Sequence, residues 1–209
     1  IPLERPGTRG VFRREIAGGG ERTLVSADEP FFASMREVAD RRSMPAFAAR
    51  GERFLVGDGL RYRLALYAAR GDTILTFGRE LPPRLPTLRE VELRTATLEG
   101  SAGPGMTRDA IQPEIEKFAA TPLAHFAHPA AWIDDVGRVR VVGAVSDSAF
   151  LDVFVGTAYL GRATFTCPDF RRRIAQSDHR LVLLCADADG GATDLKVWRV
   201  DAAAGDSAR

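Results

Sequence analysis

"FLDVFVGTAYLGRATFTCPDFRRRIAQSDHRLVLLCADADGG", residues 150–191, is the stretch whose reading decides the fold. Two apolar runs, 150–156 and 180–186, stand at its ends. Each is nearly continuous, the pattern of a strand buried on both faces. Between them "CPDFRRRIAQS" reads as a short helix starting at Pro168, with Phe170 and Ile174 facing inward. Strand, helix and strand make a short βαβ-like unit. If its strands are parallel the crossover is right-handed, and an antiparallel arrangement is the alternative. "DLKVWRV", 194–200, supplies a last strand.

Working back towards the N-terminus, "WIDDVGRVRVVGAV", 132–145, reads as a hairpin with its turn at Asp135–Gly137. "PLAHFAHPAAW", 122–132, reads as a short helix carrying His125 and His128. Thr107 starts a longer helix with Ile111, Ile115 and Phe118 on one stripe, which Pro113 bends or confines to its first turns. "EGSAGPGM", 99–106, has the small residues of a flexible loop.

From 52 to 98 the apolar period is two. Tyr62, Leu64 and Leu66 alternate with Arg61, Arg63 and Ala65, and Arg70-Gly71-Asp72 reads as a turn. Val91, Leu93, Thr95 and Thr97 suggest a further strand after the proline-rich 81–86. Earlier still, two short strands flank the triple glycine Gly18–Gly20. A helix over 30–41 follows, with Asp28 as cap and Phe31, Met35, Val38 and Ala39 on one face. Glu21 and Arg22 stand where a phosphate loop needs Lys and Ser/Thr.

The expected fold is therefore mixed α+β. An antiparallel meander packs on two or three helices, near 30–41 and 107–127, with a short βαβ-like C-terminal part. Residues 1–209 form one compact domain with a waist at the flexible loop near 99–106.

Twenty-nine basic residues against twenty-eight acidic ones leave a net charge of +1 at pH 7. That balance gives no reason to expect nucleic acid or an anionic membrane as partner. Arg171, Arg172 and Arg173, consecutive on a helix, would point 100° apart and form no single anion cradle. No apolar run approaches the ~18 residues of a membrane helix. Only Lys117 and Lys196 are lysine among the basic residues, an imprint expected of a GC-rich bacterial genome. The chain begins with Ile1, which suggests part of a longer protein or a processed form, and its localisation, cytoplasmic or secreted, stays open. Two cysteines make no disulfide framework, so Cys167 and Cys185 read as core thiols.

The 150–191 stretch resembles the second half of a caspase-like cysteine peptidase, and the Cys-bearing modules of large bacterial polymorphic-toxin proteins. Cys185 matches the family's cysteine and Gly156 its glycine, which implies Cys185 as nucleophile with a histidine base. Val155 stands where that histidine precedes the glycine. His179 enters the strand that Cys185 leaves, roughly 20 Å away along it. His125 and His128 are then the candidate bases. "LLCADADGG" also resembles the first motif of haloacid-dehalogenase-type phosphotransferases. Gly191 replaces the expected Thr or Val, and Asp189-Gly190-Gly191 reads more simply as a hairpin turn. "HFAH" has a zinc-compatible spacing, but Pro129 ends the helix and no third ligand is indicated, so neither metal nor cofactor is expected.

Three functions follow: a non-catalytic or interaction domain of a larger bacterial protein, a caspase-like hydrolase using Cys185 with His125 or His128, or a toxin-like enzyme with an unrecognised site. The expected partner is another protein, a small molecule, or another part of a longer parent chain.

Overall fold

The computed structural model describes residues 10–14, 21–26, 46–69, 72–101, 107–126, 130–145, 148–167, 170–177, 179–186 and 193–200. The expected 30–41 helix, His128 and the Asp187–Gly191 turn lie outside them. Of the 99–106 segment, only 99–101 are described.

Two short strands, β1 (Gly10–Arg14) and β2 (Glu21–Ser26), pair antiparallel on either side of the triple glycine. Three larger sheets follow in chain order, each an up-and-down meander. The first holds β3 (Ala46–Arg50), β4 (Arg53–Asp58), β5 (Arg63–Ala68) and β6 (Thr73–Gly78). The second holds β7 (Ala131–Ile133), β8 (Val139–Val145), β9 (Ser148–Val155) and β10 (Ala158–Thr166). The third holds β11 (Phe170–Gln176), β12 (Arg180–Ala186) and β13 (Thr193–Arg199). All pairings are antiparallel.

The second sheet is the middle layer. Phe150 and Phe154 of β9 and Val139 and Val141 of β8 pack against Leu55, Leu64, Leu66 and Phe77 of the first sheet. The alternate residues Ala149 and Leu151 of β9 and Val142 of β8 pack against Leu181, Leu183 and Cys185 of the third. Period-two alternation thus sends one apolar set into each junction. The near-continuous apolar run at 150–155 is what a strand with two buried faces requires. Each fully buried side chain of this kind contributes about 1.5–3 kcal/mol.

Three expectations need correction. The βαβ-like unit is absent, because 170–176 is a strand antiparallel to β12. Pro168 and the three arginines suited a helix start, but pairing with the apolar β12 overrides that local preference. The 88–98 strand is instead helix α1, Leu88–Ser101. Thr87-Leu88-Arg89-Glu90 forms a capping box: the Glu90 carboxylate accepts from the Thr87 N–H at 2.8 Å, and the Glu90 N–H donates to the Thr87 hydroxyl at 3.3 Å. The apparent alternation of Val91 and Leu93 misled because α1 has no buried residue and so no apolar stripe. Finally, residues 121–126 carry His125 in non-helical backbone.

Helix α2 (Arg108–Ala120) forms where expected, with Ile111 and Ile115 buried; Thr107 stands at the N-cap, but its side chain makes no capping hydrogen bond. Pro113 lies inside it, and the helix runs on to Ala120. Among the described residues no helix is long and apolar enough to cross a membrane.

Candidate functional site

Among the described residues the densest polar cluster lies between the first two sheets and centres on Asp152, whose side chain is fully buried. Its place in β9 puts it on the same face as Phe150 and Phe154, towards the first sheet. A lone carboxylate there must find partners, since desolvating an unpaired charge is prohibitive. Arg162 donates from Nε to Oδ1 at 2.7 Å and from Nη2 to Oδ2 at 2.8 Å, a bidentate pair. The Tyr159 hydroxyl donates to Oδ1 at 3.2 Å, and Arg79 Nη1 to Oδ2 at 3.2 Å. The Tyr62 hydroxyl donates to Oδ2 as well.

Local backbone features deliver these donors. Asp152 lies opposite Arg162 in the ladder. Tyr159 would point to the other face from Arg162 in a regular strand. A register shift between Tyr159 and Gly161 makes Leu160 surplus and brings both side chains to one face. Tyr62 sits at φ 50 in the turn before β5, and its carbonyl accepts from Arg79 N–H at 3.0 Å. Gly78 permits that approach, since a Cβ there would lie 2.1 Å from the Tyr62 oxygen. The same turn therefore aims both Tyr62 and Arg79.

The guanidinium groups also cover aromatic faces, Arg162 over Phe150 at 3.7 Å and Arg79 over Tyr159 at 4.3 Å. Burial alone would raise the Asp152 pKa, but hydrogen bonds from Arg162 and Tyr62 hold it below the ordinary carboxylate range. Burial, then the Asp152 charge, pushes the Tyr62 pKa up, so the phenol stays a donor. A carboxylate so depressed and so fully engaged is an electrostatic anchor. A general base needs a pKa near the working pH.

His125 lies beside this cluster, its ring 5.8 Å from that of Tyr62. The 124–126 segment threads between the sheets: His125 N–H donates to the Gly59 carbonyl at 2.8 Å, and Gly143 leaves room for the His125 oxygen. The imidazole is buried, and its Nε2 has no hydrogen-bond partner. Burial, then the charges of Arg84 and Arg162, holds its pKa below the ordinary value, against a hydrogen bond with the Pro82 backbone.

Cys185 lies elsewhere. It is bonded to Cys167, with Cα atoms 5.2 Å apart and both residues at zero exposure. The expectation of two thiols is thereby corrected: Cys167 follows β10 and Cys185 sits in β12, so stacking the sheets brings together residues 18 apart. Disulfide-bonded Cys185 has no thiolate to offer. It also belongs to the junction of the second and third sheets, whereas His125 contacts Tyr62 in the other junction. The structure does not bring them together. His179 is exposed at the head of β12.

A second buried carboxylate, Asp134, closes the 134–138 turn. It accepts from the Arg138 N–H at 2.8 Å and Arg138 Nε at 2.6 Å, and pairs with Arg140 at 3.1 Å. Among the described residues no group of three His, Cys, Asp or Glu side chains could hold a metal ion.

Sequence reading passed over Asp152, Tyr62 and Arg79 as candidates. The signals were present: one acid inside an apolar run, and a glycine three residues after β10 begins, marking a bulge. No protein-family model matches the chain, and no curated protein matches it.

Proposed function

We propose that this chain is a non-catalytic interaction domain whose surfaces, not a reactive centre, do its work. The observation that carries this reading is the bond from Cys185 to Cys167. The residue best placed by resemblance to be a nucleophile is used to join two sheets. The best-formed charged cluster, around Asp152, is likewise spent on joining two sheets. Successive four-stranded antiparallel meanders also build the blades of β-propellers, an architecture that carries many functions and selects none by itself. The expected partner is a protein.

Thiol titration tests the reading. The native, unreduced protein should yield no thiol to a disulfide-exchange reagent, and two per chain after reduction and unfolding. One fast-reacting thiol in the native protein, with peptide hydrolysis lost in Cys185→Ala, would establish the hydrolase instead.

A further inference from the structure

Between β6 and β7 the chain leaves the sheets, forms α1 and α2, and returns. Among the described elements the two helices pack chiefly on each other and make no more than marginal contact with any strand. Ile111 and Ile115 of α2 are buried, yet they belong to the core of neither junction. The helix pair is therefore an arm, held to the body by its neck. There the outgoing and returning chains meet in an isolated antiparallel bridge of Arg84 with Leu123, whose N–H donates to the Arg84 carbonyl at 2.7 Å. One step nearer the body, His125 joins the same two chains through a hydrogen bond with the Pro82 backbone. Proline has no N–H, so the imidazole is the donor. The His125 N–H donates to the Gly59 carbonyl at 2.8 Å, which ties the neck to the turn before β5. Just inside this point both chains are anchored, for Phe126 is buried in the core of the first junction and Leu81 packs against it.

The surroundings of His125 suit only its neutral form. The ring is buried and its Nε2 has no partner, so a proton added there meets no acceptor, and an unpaired buried charge is costly. Three guanidinium groups act on it, those of Arg84 and Arg79 from the chain entering the neck and that of Arg162 from β10. The neighbouring acids are engaged. Asp152 of β9 accepts from Arg162, Arg79, Tyr62 and Tyr159. Glu90 of α1 accepts from Arg84 and the Thr87 N–H. Asp58 accepts from the amides of Leu60 and Arg61 in its own turn, and it is one place out of phase with Gly57, whose face of β4 meets Phe126. Tyr62, its ring 5.8 Å away, is a neutral phenol already donating to Asp152.

We propose that His125 is an acid-operated latch on the α1–α2 arm: the neutral imidazole holds the neck closed, and protonation expels it, so that the neck opens outside Leu81 and Phe126 and the arm swings away while the sheets stay joined. The latch goes beyond the interaction-domain reading and does not depend on it. Burial and the three arginines hold the pKa of the closed form below the ordinary value, so the open form takes the proton first. As pH falls from about 6.5 towards that lowered value, the ratio of open to closed arm rises by up to about tenfold per pH unit.

A spin-label distance and amide exchange, both on the full chain with its disulfide intact, test the latch. Labels on Leu88→Cys of α1 and Val136→Cys of the β7–β8 turn, both well exposed, report where the arm lies. One distance is expected at pH 7.5, and a second, longer one at pH 5 that disappears on return to pH 7.5. Over the same range the amides of Leu123 and His125 should lose protection, corrected for intrinsic rates, by up to about tenfold per pH unit, while those of β9 keep theirs. His125→Gln can still donate to Pro82 but takes no proton, and should hold one distance at both pH values. Arg84→Gln keeps the histidine and removes the largest of the three repulsions. It should shrink the acid-induced population, and it decides the matter should His125→Gln not fold. A single distance with unchanged protection at pH 5 in the native sequence overturns the proposal, as does an acid response of undiminished size in either variant. So does loss of β9 protection together with that of Leu123, which would make the event unfolding of the first junction and not opening of the neck.

Discussion

Between the first and second sheets, a buried carboxylate gathers two arginines and two tyrosines. Between the second and third, a disulfide stands among aliphatic and aromatic side chains. Both junctions use the same strand, β9, whose alternate residues face opposite ways. Asp152 faces the first junction, while Leu151 and Ala149 face the second. The first junction is tied by groups that respond to protons and to the loss of any one partner. The second is tied by a covalent bond that responds to electrons. The fold therefore has two separately addressable seams.

The largest expected effect is at the first seam. Asp152→Ala leaves Tyr62 and the arginines without their acceptor, and breaking a buried ion pair costs about 3–5 kcal/mol. Arg79 and Arg162 are partly exposed, 24% and 27%, so solvent screening favours the lower end, about 3 kcal/mol. Thermal melting should fall by roughly 6–12 °C at this size. A fall of only a degree or two would show that water replaces the carboxylate at little cost.

Reduction should cost the second seam slightly less. The 18-residue separation of Cys167 and Cys185 places the constraint near 3 kcal/mol on a chain-entropy account, with less delivered where the native sheets are already packed. Urea unfolding with and without reductant measures it. If the seams are independent, the losses from reduction and from Asp152→Ala add, and a sum well short of additive would join them into one unit.

Acid should act on the first seam through His125 and Asp152. His125 has its pKa lowered in the folded state, so the unfolded chain binds the proton more readily. Its contribution is complete above the unfolded value of about 6.5, and is lost as pH falls through the lower folded value. Asp152 adds a second loss below about 3.9, since its folded pKa is also depressed. The unfolding free energy from urea titrations between pH 7.5 and 5 should therefore decline, by at most about 1.4 kcal/mol per pH unit from the histidine. His125→Gln should flatten that decline, while reduction should leave its slope unchanged.

The smallest effect belongs to a residue outside both seams. Thr87→Ala removes the hydroxyl that caps α1 and should cost about 1 kcal/mol. Fraying of α1, followed by amide exchange, should leave exchange in β9 unaltered.

How far the sequence could be read follows from where each structure gets its stability. The β4–β6 part of the first sheet was legible because its period-two alternation is local, whereas β3 at Ala46–Arg50 was not read. The two-faced burial of 150–155 was legible because an unbroken apolar run has few other uses. Helix α1 was not, although Thr87 and Glu90 signalled its start, because without an apolar stripe its side chains also fit a strand pattern. Strand β11 forms through its partner β12, and no local signal outweighed Pro168. The pairing of Cys167 with Cys185 depends on how sheets stack, which spacing does not encode. Asp152 announced a buried charge, but its tyrosine and first arginine come from 90 and 73 residues away.

The shift at Leu160 has a consequence for chain length. Tyr159 pairs with Phe154 and Gly161 with Val153, which leaves Leu160 without a counterpart in the ladder. Deleting Leu160 joins Tyr159 to Gly161 at ordinary strand spacing, and the two Asp152 donors of β10, Tyr159 and Arg162, keep their side of the sheet. Deleting Ala163 instead shifts every later residue of β10 by one, turning Phe165 away from Trp198, whose ring it meets at 5.1 Å. Within four positions, then, the same one-residue loss is silent at one codon and inverts the remainder of the strand at another. Indel tolerance in β10 is a matter of phase, set by a spare residue rather than by what that residue is.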